Sequence, residues 1–246
     1  MIIVTVALIR AGTETNKCRV MLDSGDTHYN LFDNRGALDW YLLADAHCSV
    51  NYETLMKKTR AYIDVGGTSI TDNAGELIIL GFEYADTLQR YYPDSAQAYF
   101  LKALASAKIT RLKWGFQRIK LAKVIEGNVK ISLKLDPSFA PAWVLLGGYY
   151  REVASANDFL KVLARIFFGK IPEGTLYDAE DALRKAIALS PENVYANLEL
   201  ARTIAAGNSK EQAIKILEKM QDLPLAWYGD SELKNEGIEL LKELRK

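Results

Sequence analysis

The chain has 246 residues, of which 49% are apolar and 25% are charged, a composition typical of a folded globular protein. Its 31 basic and 31 acidic residues balance, so net charge indicates neither a nucleic acid nor an acidic partner. Two cysteines cannot form a disulfide framework or by themselves a four-ligand zinc site, and two histidines leave little material for metal chemistry. We expect Cys18 and Cys48 to be ordinary thiols.

The N-terminus begins with an apolar stretch from Ile2 to Ile9. It is far shorter than the roughly 20 residues that span a bilayer, and no basic stretch precedes it. We therefore expect residues 1–16 to be an N-terminal apolar segment, either a helix or strand packed on the body or the remnant of a signal peptide. The compartment stays open between a soluble cytoplasmic location and an exported or periplasmic one. Residues 17–246 are predicted to form a single repeat domain.

Small and large apolar residues then recur in the order that tetratricopeptide helix pairs require. The second helix of a first pair is marked by Ala37, Tyr41 and Ala44. First helices of the following pairs are marked by Leu55, Tyr99, Trp143 and Asn197. Turns are predicted at Asp33–Asn34, Gly66–Gly67 and Gly207–Asn208, and a C-terminal capping helix near Ser231 to Arg245.

The most regular repeat lies between residues 139 and 223. Trp143, Leu146, Gly147 and Tyr150 reproduce the W-x2-L-G-x2-Y pattern of a tetratricopeptide first helix. Its second helix is marked by Ala179, Leu183 and Ala186, followed by Pro191. Small residues at these positions let helix backbones approach closely. The sequence predicts an all-α, tetratricopeptide-like helical-repeat superhelix of about five helix pairs with insertions.

The fourth pair carries an inserted apolar segment, residues 155–175, that includes Phe-Phe-Gly-x-x-Pro at residues 167–172. Together with the repeat pattern, this segment resembles the regulator-of-microtubule-dynamics family and its bacterial tetratricopeptide relatives, over roughly residues 25–246. The resemblance implies a non-catalytic adaptor. Animal members are membrane-anchored at organelle contacts or on microtubules, and some have a domain of this type that binds phospholipid. The family supplies no catalytic residue.

In such a superhelix the first helices of the pairs line a concave face. We expect a groove there with an apolar middle and basic residues around it, suited to a protein or peptide partner. Alternatively, the protein covers this surface itself. The predicted groove residues are Met56, Lys57, Arg60, Phe100, Leu101, Leu104, Lys108, Val144, Leu145, Arg151, Leu198 and Arg202.

The insertion places five apolar residues at helical spacing: Phe159, Leu160, Leu163, Ile166 and Phe167. Three interpretations are open. The segment is a plug for the groove, a lid over a lipid or other hydrophobic ligand, or an amphipathic contact with a membrane surface.

Lysines at positions 120, 123, 130 and 134 recur on one side of a predicted helix, which favours a solvated helix face over a site for an anionic partner. The sequence contains no phosphate-binding loop, zinc-protease helix or hydrolase nucleophile motif. We therefore expect a non-catalytic scaffold that binds a protein partner through its concave face, without cofactor, metal or nucleic acid. A carrier of a lipid or other hydrophobic ligand is the alternative.

Overall fold

The computed structural model describes residues 2–49, 51–68, 73–113, 115–156, 161–162, 165–166 and 174–246, with side chains from residue 16 onward. Eleven helices with defined bounds, and no strand, occur in these ranges. They are α1 (Ile2–Asn30), α2 (Asn34–His47), α3 (Tyr52–Thr68), α4 (Ala74–Tyr91), α5 (Ala96–Thr110), α6 (Phe116–Leu135), α7 (Ala140–Ala154), α8 (Leu176–Leu189), α9 (Val194–Ala206), α10 (Lys210–Gln221) and α11 (Asp230–Leu244). The prediction of an all-α fold is confirmed.

The chain divides into two compact units, Met1–Pro93 and Asp94–Lys246. In unit 1, α1 packs on α2 and α3 on α4; in unit 2, α5 packs on α6, α7 on α8 and α9 on α10. Helix α11 packs on α9 and α10, as a capping helix does. These are the five predicted pairs and the predicted cap. The single domain over residues 17–246 stays a prediction, and α1 runs unbroken across its predicted boundary.

Side-chain caps fix where several helices begin. Ser95 and Asn193 accept the backbone N–H of the residue three positions on, at 3.2 and 2.8 Å. Thr175 and Asp178 form a reciprocal capping box at the start of α8. Asp33 caps α2, where the Gly36 N–H and the adjacent His28 ring lower the pKa of the Asp33 carboxyl. The predicted turn at residues 33–34 is therefore the N-cap of α2.

The small residues of the fourth repeat do bring its helices into close contact. A side chain added at Gly147 would place its Cβ 2.5 Å from Leu183 Cγ on α8. Ala179 and Ala186 are fully buried on the same helix. The W-x2-L-G-x2-Y spacing thus sets the distance between α7 and α8.

One predicted turn is wrong. Helix α3 continues through Gly66 and Gly67 to Thr68. A Cβ at Gly66 would lie 2.7 Å from the Ala74 carbonyl oxygen and 2.7 Å from Ile78 Cγ1. Gly66 therefore serves close packing of α3 on α4 and does not mark a chain reversal. The predicted turn at residues 207–208 is present, with Asn208 at φ 67.

The cysteines also differ from expectation. Cys18, in the middle of α1, and Cys48, which follows α2, form a disulfide with their Cα atoms 5.7 Å apart. The expectation of two ordinary thiols is wrong. The cysteines are 30 positions apart in sequence, so only the antiparallel packing of α1 on α2 brings them together.

Candidate partner-binding surface

The predicted groove residues all lie on first helices of pairs, but three of them are buried. Leu101, Val144 and Leu198 are exposed by only 3%, 4% and 0%, so their predicted outward orientation is wrong. Val144 joins a core cluster with Leu183, and Leu198 one with Met220. A first helix is contacted by its own partner and by the helices of the next pair, so less of its circumference is free than its periodicity suggests.

The other predicted groove residues keep some exposure. Arg60 is exposed, and the remaining eight are half-buried: Met56, Lys57, Phe100, Leu104, Lys108, Leu145, Arg151 and Arg202. The charged residues among them were predicted to face a binding partner. Several of them instead form ion pairs with carboxylates of their own unit.

Unit 1 contains a network of ionic side chains around Lys57. The Lys57 ammonium lies 2.6 Å from Asp26 Oδ2 on α1 and 2.7 Å from Glu53 Oε1 on α3. Arg19 Nη1 lies 3.4 Å from the same Glu53 oxygen, and Tyr41 donates its hydroxyl to Asp26 Oδ1 at 2.8 Å. We call these five residues the Lys57 network. It joins α1, α2 and α3.

The Lys57 network shifts the acid–base properties of its members. Burial alone would lower the pKa of Lys57, but hydrogen bonds to Asp26 and Glu53 outweigh it and raise that pKa. Burial and the hydrogen bond to Asp26 raise the pKa of Tyr41. Lys57 therefore stays charged and Tyr41 stays neutral over the ordinary pH range, which keeps the network intact.

One turn further along α3, Arg60 occupies a second polar patch. Arg60 Nε lies 3.5 Å from the buried carboxylate of Asp64, and its guanidinium covers the Tyr29 ring at 4.6 Å. Tyr29 in turn donates its hydroxyl to Asp64 at 3.4 Å. With 44% of its side chain exposed, Arg60 is the more accessible of the two predicted groove cations on α3.

Unit 2 contains a different ionic arrangement, which we call the Glu199 cluster: Arg151, Glu199, Arg202 and Glu236. The Glu199 side chain is only 2% exposed. Arg151 donates from Nε and Nη2 to Glu199 Oε2, both at 3.0 Å, and Arg202 Nη1 lies 2.7 Å from Oε1. Arg202 Nη2 also pairs with Glu236 on α11. The cluster therefore connects α7, α9 and the capping helix.

Tyr195 lies one turn before Glu199 on α9 and shares its surroundings. Burial, followed by the nearby Glu199 carboxylate, raises the pKa of Tyr195 to about 12. Arg111, Arg151 and Arg202 partly offset this rise. Burial would lower the pKa of Arg202, but Glu199 and Glu236 outweigh it and raise that pKa.

Pairing changes the electrostatic character of the predicted surface. The sequence predicts basic residues around an apolar middle, yet Lys57, Arg60, Arg151 and Arg202 each have a carboxylate within 4 Å. The Glu53–Lys57 pair can be predicted from the sequence, because the two residues lie four positions apart on one helix. The contributions of Asp26 and Glu236 were missed, because those residues come from other helices.

The lysine stripe lies on α6 as predicted. Lys120 and Lys134 are exposed, while Lys130 pairs with Glu126 at 2.6 Å. On the opposite side of the helix, Val129 is fully buried. This is an amphipathic second helix with its charges toward solvent.

Most of the predicted lid lies outside the described residues: Phe159, Leu160, Leu163 and Phe167. Of the described residues in the insertion, Val162 is 53% exposed and Ile166 is 68% exposed. In the described part of the chain, no helix is both long and apolar enough to cross a membrane, and no group of histidine, cysteine and carboxylate side chains could hold a metal ion.

The paired helices, their small-residue contacts and the capping helix define a tetratricopeptide-type helical-repeat protein. Residues 21–245 match the family model described as Regulator of microtubule dynamics protein 1-3, and the chain belongs to this family. It is 23% identical over 245 residues to regulator of microtubule dynamics protein 1 from Bos taurus, covering 98% of this chain and 76% of that protein.

Solved structures agree on the fold. A thermophilic tetratricopeptide-repeat protein of Thermus thermophilus superposes with a TM-score of 0.67 at 18% identity, over 92% of this chain and 99% of that one. Yeast Tom70 superposes with a TM-score of 0.53 at 14% identity, over 92% of this chain and 39% of that one. The predicted fold class and family resemblance are both confirmed.

Proposed function

We propose that this chain is a non-catalytic scaffold that binds a protein or peptide partner on the concave face formed by its first helices. The observation that carries the proposal is the placement of half-exposed ionic groups on those helices. In unit 1 Arg60 keeps contact with solvent beside the buried Asp64 carboxylate, and in unit 2 Arg151 and Arg202 do so beside the buried Glu199 carboxylate. Such groups offer directional hydrogen bonds to a polypeptide, and helical repeats present them along an extended surface.

The ion pairs shape what kind of partner fits. A strongly acidic peptide would find few unpaired cations among the described groove residues. A partner that carries both acidic and basic side chains can instead form ion pairs with members of the Lys57 network or the Glu199 cluster. Half-buried apolar residues such as Phe100, Leu104 and Leu145 supply the apolar part of the contact. Electrostatic matching of this kind gives specificity more than affinity.

The alternative is a carrier of a lipid or other hydrophobic ligand. Its support is the exposed apolar pair Val162 and Ile166, which lie four positions apart in the insertion. Two exposed aliphatic side chains at helical spacing are the beginning of an apolar face that a lid or a membrane contact would use.

One capture experiment with charge-reversed variants tests the scaffold. Full-length protein would be immobilised as wild type, Arg60→Glu, Arg111→Glu or Lys120→Glu, and captured proteins would be quantified by mass spectrometry. Arg60 lies on a first helix beside Asp64 and Arg111 directly follows the first helix α5, whereas Lys120 lies on the second helix α6 and is the matched control. We expect a partner retained by Lys120→Glu and lost by at least one of the others. Equal capture by all four proteins would refute a first-helix binding surface.

The same preparation separates the two functions. Native mass spectrometry followed by organic extraction would reveal a lipid bound in stoichiometric amount, which would favour the carrier. An apo mass, together with no binding to added lipid vesicles, would leave the scaffold as the function.

A further inference from the structure

The Cys18–Cys48 disulfide occupies a particular position along α1. On its C-terminal side, α1 is held by contacts that need no covalent bond. Leu22 is 5% exposed in a core cluster with Leu38 and Tyr41, and Asp26 accepts hydrogen bonds from Tyr41 and Lys57. The disulfide lies one helical turn before the first of these contacts.

Noncovalent support weakens on the N-terminal side of Met21, which still packs against this cluster. Val20 is 56% exposed, and Arg19 contributes ion pairs at a side chain that is 58% exposed, which hold a helix only weakly. Asn16 and Lys17 are both exposed. Among the residues of α1 whose side chains are described, Cys18 is therefore the one closest to the N-terminus that is strongly attached to another part of the chain.

Both cysteines are partly accessible, because neither residue is buried. A small thiol can therefore approach the bond. Attack by a thiolate on Cys48 Sγ expels the Cys18 thiolate, and attack on Cys18 Sγ expels the Cys48 thiolate.

We propose that the Cys18–Cys48 disulfide is a redox-controlled fastening for residues 16–20 of α1. In the oxidised chain it holds these residues beside the end of α2. In the reduced chain these residues are released, while the remainder of α1 from Leu22 onward stays packed on α2 and α3. The inference goes beyond the scaffold function and does not depend on it.

The chemistry balances with a low-molecular-weight thiol as reductant. A thiolate attacks Cys48 Sγ and expels the Cys18 thiolate, giving a mixed disulfide. A second thiolate attacks the external sulfur of that mixed disulfide and expels Cys48. Two cysteine thiols and one small-molecule disulfide result, with the two protons supplied by the two reductant thiols. Oxidised glutathione reverses the sequence.

Hydrogen exchange of the full chain tests the proposal. Protein oxidised with glutathione disulfide and protein reduced with dithiothreitol would be compared by mass spectrometry, which also confirms the gain of two hydrogens on reduction. We expect exchange of the backbone amides of residues 16–20 to rise at least about tenfold on reduction, with residues 23–47 unchanged. Trypsin cleavage after Lys17 and Arg19 should accelerate in parallel.

The variant Cys18→Ser/Cys48→Ser is the matched control. It should show the exchange pattern of the reduced protein, with or without dithiothreitol. Unchanged exchange in fully reduced wild type would overturn the proposal, because the noncovalent contacts would then suffice. Loss of protection throughout residues 23–47 would also overturn it, since the bond would then support the whole unit. So would thiols that stay free after incubation with glutathione disulfide.

Discussion

Removing the Glu199 carboxylate should expose how much unit 2 depends on its ionic cluster. In Glu199→Ala, Arg151 and Arg202 lose their shared partner while remaining largely buried, with 21% and 30% of their side chains exposed. Breaking a buried ion pair by deleting one partner typically costs about 3–5 kcal/mol. Both arginines retain a second carboxylate, from Glu152 and Glu236, so we expect about 3 kcal/mol, at the lower end.

This cost should be visible in the melting temperature of unit 2. The unit comprises 153 residues (246 − 93), a size for which 1 kcal/mol corresponds to about 2–4 °C. We therefore expect Tm to fall by about 6–12 °C. A Trp40→Phe background would remove the one tryptophan of unit 1, so that fluorescence reports unit 2 during heating or urea titration.

Two further variants provide a control for exposed ion pairs and a test of the argument from buried charge. Glu239→Ala breaks an ion pair whose side chains are 63% and 69% exposed, and should cost less than about 0.5 kcal/mol. A triple change of Arg151, Glu199 and Arg202 to Met should recover most of the lost stability, because no charge remains buried. If Glu199→Ala is as stable as Glu239→Ala, the reasoning from burial and pairing is wrong.

The remaining predictions concern packing and pH. Gly147→Ala should destabilise the chain by about 1–3 kcal/mol in urea unfolding, because its Cβ meets α8 at 2.5 Å. Gly127→Ala, with nothing within 4 Å in α6, should instead stabilise by about 0.5–1 kcal/mol; equal effects would contradict the packing argument. Because burial raises the pKa of Tyr195 to about 12, its contribution to stability should be complete below about pH 10 and lost as the pH rises from 10 to 12. A Tyr195→Phe variant with an unchanged alkaline unfolding profile would exclude this.

The helix pairs could be predicted because their signals are local. Gly147 and Ala179 belong to a spacing pattern that reports close helix packing directly, and the structure places both at helix contacts. A glycine is ambiguous without its neighbours. Gly66 has the sequence appearance of a turn, but the approach of α4 determines its role.

The surface was less predictable, because it depends on contacts between distant positions. Asp26 and Lys57 are separated by 31 residues, and Arg151 and Glu199 by 48. Helical periodicity identifies the side of a helix that faces its own partner, but not the part covered by the following pair. For this reason Val144 was placed on the surface although it is 4% exposed.

The disulfide also determines how the chain would respond to mechanical load. Force applied before Cys18 and resisted beyond Cys48 passes through the sulfur–sulfur bond and bypasses the segment between them. That segment accounts for a sequence separation of 30 residues, or about 100 Å of extended chain at roughly 3.4 Å per residue. When the protein is pulled by its ends, the fully extended oxidised chain would therefore be about 100 Å shorter than the fully extended reduced chain. The bond fixes how far this end of the molecule can stretch.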